Sequence, residues 1–343
     1  MARKKVISKT AESLAKALTF CSLGVEEGGD TYKVHGRIVN GYLVTFNGTL
    51  AVGHPVEDDL AVCPHIPTWI AALNKSGKSF DQTVNEKGNL SIKGENIRAI
   101  VPCILPEFMP PVMPDMKIAD VSDALKEGFK AMLPLIAEDG ERVHEISILL
   151  RANTMVAVNG VIMFEYWHGI DLPPGLSIMK AAAKAIASVP EKLEGFGWTP
   201  DRTVTFWFEG GAFIQTALAI GEWPNVDKVF NETIGTPEDL PAGLFDGIEA
   251  VASFSADGAV HFDTDKIRSG YANYGEDGPV YGATYDVPGL QKGSVFAVKL
   301  LKMMKPHCAK IDYWSNDDKA LFFGPVANGE ELPKMRGVVM KRR

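Results

Sequence analysis

Three times in this chain, at intervals of about 115 residues, a lysine-bearing helical stretch runs into a β-hairpin pattern. That recurrence restricts the fold to a series of similar small domains, because the period is too long for a solenoid repeat. The stretch Ser294 to Pro325, SVFAVKLLKMMKPHCAKIDYWSNDDKALFFGP, is the clearest copy. As a helix its first part sets Phe296, Leu300, Met303 and Met304 on one side and Lys299, Lys302 and Lys305 on the other. Pro306 stops it, and Lys310 to Trp314 and Lys319 to Phe323 read as strands around the turn-forming run Ser315 to Asp318. In the first third the helix is Ile66 to Asn74, followed by Lys75 and Lys78, with Asn89 to Lys93 and Ile97 to Val101 as the hairpin. In the second, Leu176 to Val189 reads as a helix carrying Lys180 and Lys184, ended by Pro190, with Val204 to Phe208 and Phe213 to Ile220 as strands. Similar tails close these two copies, ILPEFMPPV at Ile104 to Val112 and AIGEWPNV at Ala219 to Val226.

The remaining elements repeat in the same order. Lys9 to Phe20 reads as an opening helix, followed by strands at Tyr32 to Val39, Tyr42 to Phe46 and Leu50 to Val52, with Asn40-Gly41 and Asn47-Gly48 as hairpin turns. Ser122 to Ile136 opens the second third as a helix, with strands at Glu145 to Arg151 and Met155 to Phe164, the latter broken by Asn159-Gly160. Leu244 to Ala252 opens the last third, with Ala259 to Phe262 and Val280 to Tyr285 after it. Proline-rich Pro102 to Pro114 and acidic Glu222 to Pro241 read as linkers, placing domains at 1–114, 115–230 and 231–343. The expected class is α+β, with two helices against small antiparallel sheets in each domain.

With 46% hydrophobic and 23% charged residues the chain has material for several cores, so folded structure is expected throughout. No run of about 18 apolar residues exists and the N-terminal stretch lacks the apolar core of a signal peptide, which gives the expectation of a cytosolic protein with no membrane partner. Cys21, Cys63, Cys103 and Cys308 are scattered without a Cys-x-x-Cys pair and read as reduced, mostly buried thiols. The net charge of −8 argues against a nucleic-acid partner, yet lysines gather on the recurring helices and acids in loops and in Glu238 to Glu249. Such a surface would repel DNA over most of its area and admit it at one place. Ordinary solvated helix faces would give the same pattern.

Catalytic motifs are missing. Gly275 to Gly282 lacks the lysine and hydroxyl of a phosphate loop, His144-Glu145 has no second histidine at metalloprotease spacing, and no Gly-x-Ser-x-Gly occurs. No catalytic residue, metal ligand or cofactor is expected. Asp257, Asp263, Asp265, Asp277 and Asp286 would have to converge through long-range geometry to hold a metal.

The repeat, the tails and the C-terminal strand together resemble the sliding clamps of replicative DNA polymerases, of the three-domain β-subunit type, in a divergent phage or viral form. Gly221 to Val229, GEWPNVDKV, looks like that family's G-x-F/Y-P-D-Y-x-x-V. Val338-Val339-Met340 matches the start of its closing V-V-M-P-M-R-L before Lys341-Arg342-Arg343 departs from it. Ala157 to Met163 matches A-T-D-G-H-R-L at the alanine, the Asn-Gly and a final apolar residue.

The resemblance implies a protein without catalysis that encircles duplex DNA as a six-domain ring of two chains and tethers a polymerase. Lys75, Lys78, Lys180, Lys184, Lys299, Lys302 and Lys305 would line the channel, with Lys9, Lys16, Lys126 and Lys130 on the companion helices. Lysine suits loose phosphate contact because its hydrated point charge makes no bidentate clamp. Polymerase and clamp loader would dock short peptides in a groove of Val161, Ile162, Met163, Pro224, Lys228, Val229, Val338, Met340 and Arg342, made more cationic, and its preferred peptide more acidic, by Lys341-Arg342-Arg343. The competing readings are a phage structural or assembly protein of repeated β-rich domains, and an enzyme with a distributed acidic metal site.

Overall fold

The computed structural model describes residues 11–29, 31–77, 79–232, 236–269, 271–272, 280–326 and 333–342. The chain divides into two compact units, Met1–Phe129 with Ala181–Leu218, and Lys130–Lys180 with Ala219–Arg343. These units cut across the expected thirds because each is built on a large antiparallel sheet that takes strands from two neighbouring thirds.

In the first unit the order is Gly36–Val39, Tyr42–Phe46, Leu50–Pro55, Phe213–Ala217, Thr203–Phe208, Leu193–Thr199 and Lys117–Asp120. The seam between thirds runs from Gly53 opposite Phe213 to Leu50 opposite Thr216. A Cβ at Gly53 would come within 2.2 Å of the Phe213 ring, so only glycine lets the two strands close at that register. Leu14, Ala17, Leu18 and Cys21 of the helix Ala11–Cys21 are buried with Ile66, Trp69 and Leu73 of the helix Ile66–Lys75. Removing each such large side chain from water contributes about 1.5–3 kcal/mol. Phe129, Phe206 and Phe196 continue the core edge to face, at centroid distances of 5.8 and 5.6 Å.

The second unit repeats the construction with Leu176–Met179, Ser147–Leu150, Thr154–Val158, Ile162–Trp167, Met335–Met340, Lys319–Phe323, Lys310–Asp312 and Glu238–Asp239. Its seam pairs Ile162 with Val339 and Tyr166 with Met335. The helices Leu244–Ala252 and Val298–Met304 pack together, and Phe262 lies 5.1 Å from Phe296 and 5.2 Å from Tyr313 between ring centroids. Among the described residues no helix is long and apolar enough to cross a membrane.

Several elements differ from expectation. Phe296 belongs to the strand Ser294–Ala297, so the following helix buries Val298, Leu301 and Met304, leaving Leu300 and Met303 half-buried. The first four residues of the expected helix Leu176 to Val189 are a strand, pinned by the backbone ladder to Ser147–Leu150, and the helix begins at Lys180. The first part of Tyr32 to Val39 is a short 3-10 turn. The linker Glu222 to Pro241 contains a helix, Val226–Glu232, started by the Asn225 carboxamide accepting from the Lys228 N–H at 2.9 Å. All four cysteines are free thiols, Cys21 and Cys63 buried and the other two half-buried.

One helix start makes stability sensitive to pH. The His65 ring caps Ile66–Lys75, its Nδ1 accepting from the Thr68 N–H at 3.3 Å, which requires a neutral ring. Burial lowers the affinity of His65 for a proton below its ordinary value of 6.5, and burial does the same at His35, His54, His168, His261 and His307. Below about pH 6.5 the unfolded chain binds protons that the folded chain refuses, so stability is full above pH 7 and falls as the solution is acidified. Urea midpoints measured between about pH 8 and 5.5 should therefore decline, and His65→Asn, which keeps a cap without titrating, should flatten the decline. A midpoint independent of pH over that range would contradict this account.

Candidate functional site

The lysines separate into two groups. Lys75, Lys184, Lys299 and Lys302 are exposed and make no ion pair among the described residues. Each stands on a helix whose other face is buried, as Ala182, Ala183, Ala185 and Ile186 are beneath Lys184. Lys130 is exposed in the last turn of Ala124–Met132. The others are held by their own chain. The half-buried Lys180 ammonium donates to the Ile136 carbonyl at 2.7 Å and pairs with Glu138, and Lys305 pairs with Glu249 at 2.8 Å. Lys16 reaches Glu191 at 2.9 Å, while Lys126 donates to the Glu191 carbonyl and pairs with Asp123. Meeting a phosphate would require these last four to exchange a partner, so they are poorer candidates than the sequence made them. Lys9 and Lys78 lie outside the described residues.

The second candidate site forms where the helix Val226–Glu232 lies on the sheet of the second unit. Strand alternation places Met163 and its cross-strand partner Val338 on one face, where they join Leu149, Val156 and Leu321 beneath Val226 and Phe230. Val229 and Trp223 pack at the margin, and the Trp223 indole donates to the Ser177 hydroxyl at 2.8 Å. Val161 is exposed after the Asn159-Gly160 turn, and its carbonyl accepts from the N–H of half-buried Met340 at 2.8 Å. Pro224 and Lys228 are exposed, next in sequence to Trp223 and Val229 respectively, at the start of the helix. Thus Met163, Val229 and Val338 share one apolar cluster, with Val161 and Met340 joined at the adjoining end of the strand pair.

Two expected groove residues point elsewhere. Ile162 alternates onto the opposite face with Val339, the side on which Gly337 approaches Met304 and Phe164. The Arg342 guanidinium donates to the Asp257 carbonyl at 2.7 Å, and the Lys341 ammonium to the Asn316 carbonyl at 2.5 Å. Lys341 and Arg342 are therefore committed to neighbouring turns, against the expectation of a groove made cationic by them, and Arg343 lies outside the described residues. Of the acids considered for a metal, Asp263 pairs with Arg268, Asp257 with Arg342, and Asp265 accepts from the Gly289 N–H at 2.7 Å. Asp277 lies outside the described residues.

No protein-family model and no curated protein matches the sequence. Solved structures do match. The DNA polymerase sliding clamp from Caulobacter crescentus superposes with a TM-score of 0.79 at 15% identity, covering 98% of this chain and 99% of that one. The DNA polymerase III subunit beta from Pseudomonas aeruginosa gives 0.78 at 14% identity over 100% of both chains. The H. pylori beta clamp in complex with 5-chloroisatin gives 0.76 at 11% identity, covering 98% of this chain and 99% of that one. The chain has the sliding-clamp fold.

Within this clamp fold, sequence reasoning missed the charged network that fastens Val226–Glu232 to the sheet. Arg151 donates to both oxygens of Asp227 at 2.9 Å and to Glu165 at 3.0 Å, and Arg336 donates to the other Glu165 oxygen at 2.6 Å while its guanidinium sits 4.0 Å from the Phe230 ring centroid. Glu165 is buried, and two arginines with the Thr154 hydroxyl satisfy it. No local pattern announces such a network, since its members come from the turn after Ser147–Leu150, two strands of the middle third, the strand Met335–Met340 and the helix itself.

Proposed function

We propose that this protein is a DNA polymerase processivity factor, a sliding clamp that encircles duplex DNA without reading its sequence and carries out no catalysis. The observation that supports this most is the match to sliding clamps along the entire chain, and the free lysines Lys75, Lys184, Lys299 and Lys302 supply the cationic groups such a role needs. In this reading residues 1–114, 115–230 and 231–343 are three domains of one repeated type, and two chains close a ring of six. Met163 and Val338 are buried beneath Val226 and Phe230, so polymerase and loader peptides dock at the margin of that cluster, on half-buried Val229 and Met340 and exposed Val161, Pro224 and Lys228. No observation favours the structural-protein or metal-enzyme reading.

Affinity for DNA then rests on ring closure, while the lysines exchange phosphates as the ring moves. The test is retention. The dimer is dissociated in mild denaturant, re-formed around nicked circular plasmid, and passed over a large-pore sizing column. Co-elution with circular DNA and release on linearisation are expected. Replacing Lys75, Lys184, Lys299 and Lys302 by alanine should leave the mass at two chains while lowering the slope of log affinity against log salt, by about 0.9 for each phosphate that is no longer neutralised. A protein that stays bound equally to linear DNA, or a variant with the parent's salt slope, would refute the reading of topology or of the lysines respectively.

A further inference from the structure

We propose that the first unit carries a second peptide-docking cleft, which takes an extended segment bearing apolar side chains next to carboxylates. It lies where the strands Leu50–Pro55 and Phe213–Ala217 meet, and it goes beyond the groove under Val226–Glu232. Two adjoining clefts, of about 370 and 210 Å³, share a wall of Phe46, Pro111, Val112 and Met113. Met113, in the shared wall, is 82% exposed, an apolar side chain offered to a ligand, and Met116 and Ile118 after it are exposed as well. The wall is stiffened by Pro110, Pro111 and Pro114, so little conformational freedom is lost when a ligand settles against it.

The site sits at the first seam much as the apolar cluster sits at the second. Ala51 and Gln215 face each other across the seam and alternate onto the face opposite Leu50 and Val52, just as Met163 and Val338 alternate away from Ile162 and Val339. An Asn-Gly turn and an interdomain tail flank both places. The difference is in the tail. The second tail runs into the helix Val226–Glu232, which lies over its sheet, whereas the prolines before Met113 prevent one, and the first seam stays open.

Charge selects the occupant. Arg202 lines the larger cleft and Arg37 the smaller, and neither makes an ion pair or side-chain hydrogen bond among the described residues. Asp115 is the one carboxylate in either lining, and its oxygens already accept from Thr199, Thr203, Thr205 and Gln215. Two guanidinium groups beside an apolar wall in a chain of net charge −8 fit an acidic, apolar peptide, each able to hold a carboxylate bidentately.

Methionine methyl groups report on the two sites separately, since Met109 and Met113 line the proposed cleft while Met163 and Met340 belong to the groove of the second unit. The full-length protein, labelled with carbon-13 at methionine methyls, is titrated with the hexapeptide Glu-Leu-Leu-Glu-Phe-Glu and with its counterpart carrying lysine for glutamate. The acidic peptide should shift the Met113 and Met109 signals saturably. Arg37→Glu with Arg202→Glu should weaken that response about tenfold or more, with the other methyl signals in place as evidence of folding. Shifts confined to Met163 and Met340 would overturn the second cleft while leaving the proposed clamp function standing. No shift at Met113, or equal shifts with the lysine peptide, would overturn it too.

Discussion

Asp115→Ala is expected to lower the unfolding free energy of the first unit by about 2–4 kcal/mol, the scale of leaving buried hydrogen-bond donors without an acceptor. The side chain is buried and holds together strands that are distant in sequence. Its oxygens accept from the hydroxyls of Thr199, Thr203 and Thr205, at 2.9 Å for Thr203 and 2.8 Å for Thr205, and from the Gln215 amide at 3.3 Å. Its own N–H donates to Thr205 and its carbonyl accepts from the Trp207 indole. Alanine would leave four donors facing a site with no acceptor, each costing about 1–3 kcal/mol before water from the neighbouring cleft offsets part of it. Asp115→Asn, which keeps one oxygen, should lose roughly half as much. Urea unfolding followed by circular dichroism checks both, and an alanine variant within about 0.5 kcal/mol of the parent would show that the strands do not depend on this carboxylate.

Ile100→Lys is expected to abolish retention on circular DNA while leaving each chain folded. Ile100 lies on Arg98–Val101, one of the two edge strands of a three-stranded sheet, and is 63% exposed although Val101 beside it is fully buried. Edge strands are ordinarily protected by charge or proline, and an exposed β-branched residue there suits pairing with another chain. If this edge closes the proposed ring, a lysine in the pairing surface should cost about 2–4 kcal/mol of association, a rise in dimer dissociation of roughly 30- to 1,000-fold. Sedimentation should then give the mass of one chain at concentrations where the parent gives two. A dimer that survives the substitution would move the closing surface away from this edge.

What the sequence disclosed and what it hid follow one physical division. Tyr42–Phe46 and Leu244–Ala252 are found at the expected bounds, because an Asn-Gly turn and a continuous apolar face are local signals. Leu193–Thr199 went unrecognised since LEGFGWT carries two glycines, and Gly197 must be bare where the Asp115 and Met116 carbonyls approach within 2.7 Å of the position a Cβ would take. The polar strand Phe80–Val84 and the helix Val226–Glu232 were hidden for a related reason, their stability coming from tertiary partners rather than from composition. At the candidate sites, lysine positions could be read from helical spacing, but not which lysines are already paired, because Glu138, Glu191 and Glu249 reach them from elsewhere in the chain. The order of repeats and tails brought Met163, Val229 and Val338 together as candidates, and these three share one apolar cluster. The direction of Ile162 and Arg342 needed the register.

The seam at Gly53 also dictates a waiting time during synthesis. Leu50–Pro55 pairs on one side with its hairpin neighbour, but its other side is completed only by Phe213–Ala217. At ordinary translation rates, on the order of 10–30 s separate the emergence of these two strands from the ribosome. Through that interval the nascent chain presents an unpaired backbone edge carrying Leu50, Ala51 and Val52, an invitation to pair with a neighbouring polysome's copy. Slowing elongation between them should therefore raise aggregation, and a co-translational chaperone that covers β edges should matter more for this chain than its modest hydrophobicity suggests.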